Sequence, residues 1–144
     1  MGGGAHREPR KNALVAALTG ANELILERSL RVPLKREVIE LPGGLNDMEG
    51  ESPLDVVKRE LLEETGYEAT DYQEVATFAE APGVTDQQIV LHVARNAKKV
   101  REPMLGDSEE IAVFTIPIDS VHKFLKQCDV VVDAKVFAAL SFLI

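Results

Sequence analysis

The stretch SPLDVVKRELLEETG, residues 52 to 66, carries both ends of a helix in its own chemistry. Ser52 is a good N-cap, Pro53 suits the first helical position, Asp55 completes a capping-box-like S-x-x-D, and Gly66 can take the left-handed conformation that closes a helix. The spacing predicts a helix over 53–65. At about 100° per residue, Leu54, Val57 and Leu61 fall on one stripe, and Glu60, Glu63 and Glu64 occupy an adjacent arc. That is a costly place for acids. A helix C-terminus carries roughly half a negative charge, and like charges four residues apart repel. Either the three glutamates form a solvated face or something outside the helix needs them.

The rest of the chain is organised around this helix. Strand-like runs fall at 13–18, 23–29 and 36–42, with TGAN between the first two, so a hairpin and a third strand are expected ahead of the helix. Three more runs follow at 72–79, 87–96 and 110–118, and two helical segments close the chain at about 119–127 and 133–143. The order β-β-β-α-β-β-β-α-α implies an α/β (α+β) fold, a mixed β-sheet sandwiched between α-helices. At 144 residues the chain suits one domain, read as 12–144, with 1–11 as a flexible N-terminus or a cloning remnant.

Charge narrows the partners. A net charge of -8 and the lack of lysine and arginine clusters argue against nucleic acid. An acidic protein that handles phosphates needs a bridging cation. Cys128 is the lone cysteine, which excludes an intramolecular disulfide and fits a reducing compartment. The opening MGGGAHREPR lacks the apolar core of a signal peptide, and no stretch has the roughly 18 apolar residues of a membrane span, so the expected setting is cytoplasmic. Directly before the helix lies ELPGG, where Pro42, Gly43 and Gly44 allow close backbone approach at a strand end, a usual place for ligands. Oxygen donors of this kind suit Mg²⁺ or Mn²⁺, which keep several waters and complete their shell with substrate phosphates.

These residues match a known pattern. GGLNDMEGESPLDVVKRELLEETGY resembles the Nudix box, G-x5-E-x7-R-E-U-x-E-E-x-G-U with U apolar. Counting from Glu51, the positions of Arg59, Glu60, Leu61, Glu63, Glu64, Gly66 and Tyr67 fall in register. The loop from Gly44 to Glu51 departs from the pattern, with six intervening residues where the box has five, and Met48 is taken as the extra one. Over nearly the whole chain the resemblance is to the ADP-ribose pyrophosphatase branch. ERSLRVPLKREVIELPGGL is similar to that branch's arginine before a proline and its glutamate-rich strand running into P-A-G, with Gly43 in place of the alanine. APGVTDQQ puts Pro82 about where the branch carries a proline, although Gln87 stands where an acid is expected. The N-terminal β extension through which many such enzymes dimerise is missing from this sequence, which leaves homodimerisation open.

The resemblance implies a Nudix-type fold and hydrolysis of a nucleoside diphosphate linked to another moiety, with divalent cations. Glu60 and Glu64 become the main metal ligands, joined by Glu63 and the Gly43 carbonyl, with a surface acid as the alternative for Glu63. Arg59 is expected to pair with Glu51 and brace the helix. Arg31 resembles the branch's phosphate-contacting arginine, against an ordinary exposed one, and Gly44 and Pro82 complete the substrate-binding set. The general base is sought in the loop acids Glu109 and Glu110, with the helix-borne Glu63 and Glu64 as the other candidates. The expected substrate is ADP-ribose or a related nucleotide sugar. Dinucleoside polyphosphates or nucleoside triphosphates are the enzymatic alternative, and a non-catalytic nucleotide-sugar sensor is the alternative from another class.

Overall fold

The computed structural model describes residues 11–31, 35–46, 50–106 and 110–143, so Pro33, Met48 and Glu109 lie outside it. The elements are β1 (Lys11–Thr19), β2 (Glu23–Arg31), β3 (Arg36–Glu40), β4 (Gly43–Leu45), α1 (Pro53–Thr65), β5 (Tyr67–Glu68), β6 (Asp71–Ala79), β7 (Gln88–Lys99) and β8 (Ile111–Pro117). A 3₁₀ turn, Ile118–Ser120, then leads into α2 (Val121–Gln127), β9 (Val131–Val132) and α3 (Ala134–Leu140). The expected mixed sheet between helices is what forms. Among the described residues no helix is long and apolar enough to cross a membrane.

β1 is central because it is buried on both faces, as its unbroken run of small and aliphatic residues allows. Along one edge it runs parallel to β7, from Lys11 opposite Gln88 to Thr19 opposite Ala97. Its odd residues Ala13, Val15 and Ala17 meet Val56, Val57 and Leu61 of α1. Its even residues Leu14, Ala16 and Leu18 join a second core with Leu24 and Leu26, closed by Val121, Leu125, Val136 and Leu140 of α2 and α3.

The expected hairpin closes, but only just. β1 and β2 are registered through the single pair Leu18 and Leu24. A strand has two edges, and β4 occupies the remainder of the edge that β2 would have used, with Asn12 opposite Leu45 and Leu14 opposite Gly43. β2 therefore diverges to pair antiparallel with β3 and β8. The divergence leaves a gap between β1–β4 and β2–β3, and the main cavity opens there.

Helix α1 has the predicted bounds and caps. Ser52 Oγ accepts from Asp55 N at 3.1 Å, the Asp55 carboxylate accepts from Ser52 N at 3.4 Å, and Gly66 is left-handed with φ 78°. The packed stripe differs from the expected one. Leu54 is 36% exposed, whereas Val56, Val57, Leu61 and Glu64 are buried. Val57, Leu61 and Glu64 stand at i, i+4 and i+7, so the apolar face carries Glu64 inward with it.

Gly66 combines a positive φ with a crowded position, because a Cβ there would collide with the Arg101 carbonyl oxygen. Left-handed backbone costs a non-glycine residue roughly 1–2 kcal/mol before any clash is counted. Gly66→Ala is therefore expected to lower unfolding stability by about 1–3 kcal/mol in urea titrations. A change within about 0.5 kcal/mol, the range of an ordinary surface substitution, would show that the close approach relaxes freely.

Candidate active site

The gap between the diverging strands holds a cavity of about 1010 Å³, at the upper end of the range of small-molecule sites. Its wall includes Glu60 and Glu64 from α1, Glu27 and Arg31 from β2, and Gly43 and Gly44 from β4.

The glycines set the distances. Gly43 lies so close to β1 that a Cβ would come within 2.9 Å of Leu14 Cα, and its N–H donates to Glu64 Oε2 at 3.2 Å. A Cβ on Gly44 would sit 2.7 Å from Glu60 Oε1. The backbone of ELPGG thus lies directly against both helix carboxylates.

Arg59 organises the acids from behind. Its guanidinium donates to both oxygens of Glu51, at 2.9 and 3.0 Å, and to Glu60 Oε1 at 2.9 Å, and lies 3.6 Å from Glu63 Oε2. The hydrogen bonds from Arg59 hold the Glu51 carboxyl below the usual carboxylate range, and the same bonds raise Arg59. The pair ties the loop before α1 to the helix.

At the other side of the cavity Arg31 makes a fork with Glu40, with Nε 2.9 Å from Oε2 and Nη2 2.6 Å from Oε1. Ser29 Oγ donates to the same carboxylate at 2.8 Å. The Arg31 side chain remains 56% exposed, so its other face is open to a ligand. Lys135 reaches the cavity too, 3.0 Å from both Glu80 and Asp133.

Glu27 is the residue that sequence reasoning did not single out. It is 3% exposed and interacts directly with the Glu64 carboxyl. Burial pushes both groups well above the ordinary carboxylate range, Glu64 further because the Glu27 charge adds to its own desolvation. The available signal was an acid inside the apolar run ELILERS, two residues after Ile25, which packs beneath α1. Alternation along a strand turns Glu27 to that same side.

Of the residues expected in the site, Glu60, Glu64, Gly43, Gly44, Arg31 and Glu110 line this one cavity. Glu51 and Arg59 stand behind its acidic wall. Glu63 is turned outward, its side chain 41% exposed, and is not among the lining residues. Pro82 lies in an exposed turn, with Val84 N donating to Ala81 O at 2.9 Å, and does not line the cavity, although Glu80 beside that turn does. Glu109 falls outside the described residues.

Among the described residues no three carboxylate or imidazole groups are gathered into a ready-made metal cage. The donors are nonetheless all oxygens, and one buried oxygen, Glu27 Oε2, has no hydrogen-bond partner. This fits a hard divalent cation held by one or two carboxylates and completed by substrate phosphate.

Comparison with known proteins agrees with this chemistry. The family model described as NUDIX domain matches residues 8–140. The methanol dehydrogenase activator of Bacillus methanolicus is 32% identical over 130 residues, spanning 90% of this chain and 69% of its own. The ADP-ribose pyrophosphatase of Bacillus subtilis (strain 168) is 30% identical over 130 residues with the same two coverages. A solved ADP compounds hydrolase superposes with a TM-score of 0.79 at 26% identity, over 96% of this chain and 72% of that one.

The buried acid pair has a consequence for the metal-free protein. Both carboxyls are raised, so as pH climbs past their ordinary value of 4.5 the unfolded chain loses protons that the folded chain keeps. Stability is then fully present below that value and is lost as pH rises through the raised ones. In EDTA the melting temperature is expected to fall from pH 5 to pH 9, and Glu64→Gln is expected to flatten the slope. A parent melting curve that is level, or that rises with pH, would contradict the pairing.

Proposed function

Because the chain belongs to the Nudix family, we propose that it is a divalent-cation-dependent pyrophosphohydrolase that splits ADP-ribose or a related nucleoside-diphosphate sugar into a nucleoside monophosphate and a sugar phosphate. The observation that carries this reading is the pairing of an acidic wall, Glu27, Glu60 and Glu64, with the open guanidinium of Arg31 around one large cavity. A diphosphate cannot approach such a wall unless positive charge lies between. Nudix hydrolases generally need divalent cations, and Mg²⁺ is the ion we assign, with Mn²⁺ as a substitute. The printed names of the relatives, an ADP-ribose pyrophosphatase and an ADP compounds hydrolase, support the substrate class.

In this reading Glu60 and Glu64 hold the cation with the Gly43 carbonyl, and Glu63 joins them by turning inward. When bound, the cation neutralises the pyrophosphate and lowers the pKa of the attacking water. Arg31 supplies a planar fork for a phosphate, which it reaches by sharing or exchanging its hold on Glu40. Glu110, exposed at the cavity rim, takes the water's proton, and Glu109 is the other acid of that loop. The water oxygen bonds to phosphorus as the bridging P–O bond breaks, and the departing phosphate keeps the electron pair. Arg59 and Glu51 act indirectly, by holding Glu60 in place.

Glu64→Gln is expected to lower kcat by at least about a hundredfold, because it removes a cation ligand, while the metal-free variant melts no lower than the metal-free parent. Turnover should stop in excess EDTA. Near-normal kcat in the variant would exclude Glu64 as a ligand. For the substrate class, kcat/KM for ADP-ribose should exceed that for diadenosine polyphosphates at least about tenfold, or 1.4 kcal/mol of transition-state discrimination. Equal or reversed preference in a panel assay would remove the nucleotide-sugar assignment and leave the family standing.

A further inference from the structure

Three buried side-chain atoms among the described residues lack a hydrogen-bond partner, namely Asn12 Oδ1, Glu27 Oε2 and His92 Nδ1. Two of the three belong to residues that line the main cavity, Asn12 and Glu27. Glu27 is the costlier case. A carboxylate oxygen sealed from water without a donor is strongly unfavourable, and the cost grows when its neighbour is another acid. Of its strand neighbours, Ile25 shares its face and is fully buried beneath α1. The guanidinium of Arg31 exerts some attraction, but its fork is committed to Glu40. As far as folding is concerned, Glu27 is a liability.

The same residue is well placed as a ligand. Glu64 reaches the cavity from α1, with its own Oε2 taking the Gly43 N–H. Glu27 approaches the Glu64 carboxyl from β2, on the opposite side of the gap, with its second oxygen unpartnered. Two carboxyls brought together from a helix and a strand, one of them with an unpartnered oxygen, leave a position between them that a divalent cation can take.

The geometry points to Glu27 as a further ligand of the catalytic divalent cation, delivered from the sheet so that the ion is held from both sides of the cavity. This rests on the metal-dependent reading of the site and adds to it a ligand outside the glutamate helix.

The test uses Mn²⁺ alone as the probe on the whole chain, with free ion counted by electron paramagnetic resonance and the metal-induced rise in Tm measured in parallel. Glu27→Gln keeps the shape and can still hydrogen-bond Glu64, so a residue that merely positions Glu64 should leave Mn²⁺ affinity unchanged. A ligand should not. Loss of at least about tenfold in Mn²⁺ affinity is expected, the lower end of what removal of groups supporting a metal costs, together with a smaller Mn²⁺-induced rise in Tm. Glu27→Leu removes the buried, unpartnered carboxylate and should fold with a higher metal-free Tm and equally weak Mn²⁺ binding. A folded variant that loses less than about tenfold overturns the inference, and failure of both variants to fold overturns it as well, since the carboxylate would then be structural. Glu60→Gln separates this from the site as a whole. If it weakens Mn²⁺ binding while Glu27→Gln does not, only the inference falls; if the parent binds no Mn²⁺, the metal reading falls with it.

Discussion

Helix α1 lies with Val56, Val57 and Leu61 against Ala13, Val15 and Ala17 of β1, and this one packing contact sets where every glutamate of its last turns must go. Burying such aliphatic side chains is worth about 1.5–3 kcal/mol each, more than the few tenths lost to each like-charge pair along the helix. The helix can therefore carry an unfavourable charge pattern without giving up its position. Since a helix is rigid, Glu64 follows Leu61 inward, Glu60 turns to the cavity and Glu63 turns to solvent.

The second constraint is the edge of β1. With β7 on one side and β4 on the other, only the end of the strand remains for β2, and the two diverge after Leu18 and Leu24. The cavity exists because that sheet cannot close. Its position decides its chemistry. One wall is the end of the acidic helix, the opposite wall is β2 with Glu27 and Arg31, and the floor is a pair of glycines whose backbone touches the helix acids. Arg59 meets Glu51, Glu60 and Glu63 on the outer side of the wall, so its positive charge supports these acids from behind.

Such an arrangement has electrostatic strain built in. Burial raises Glu27 and Glu64 together, and the attraction of Arg31 does not offset it for Glu27. In the proposed function the strain is relieved by the ion that the reaction requires, so the free energy of cation binding includes the release of an unfavourable buried pair. Stability and activity then draw on the same residues with opposite sign, as is common where a fold keeps a costly group for its chemistry.

Much of this was legible in the chain itself. The ends of α1 depend on local hydrogen bonds of Ser52, Asp55 and Gly66, which act within a few residues and so can be read from neighbours alone. The box from Glu51 to Tyr67 was legible through its resemblance to the Nudix pattern, and the Glu51–Arg59 bond joins residues only eight apart. Long-range pairing was not. Leu54 lies on the apolar stripe yet stays exposed, and Pro82 sits in a turn away from the cavity, because a face or a turn is a local property whereas burial depends on what lies opposite. Glu27 was not singled out in the sequence, for only the sheet register brings residue 27 to residue 64 across the gap. Local chemistry determined the helix and its acids; the tertiary structure alone decided which acids face each other, since burial and like-charge contact arise only when distant segments meet.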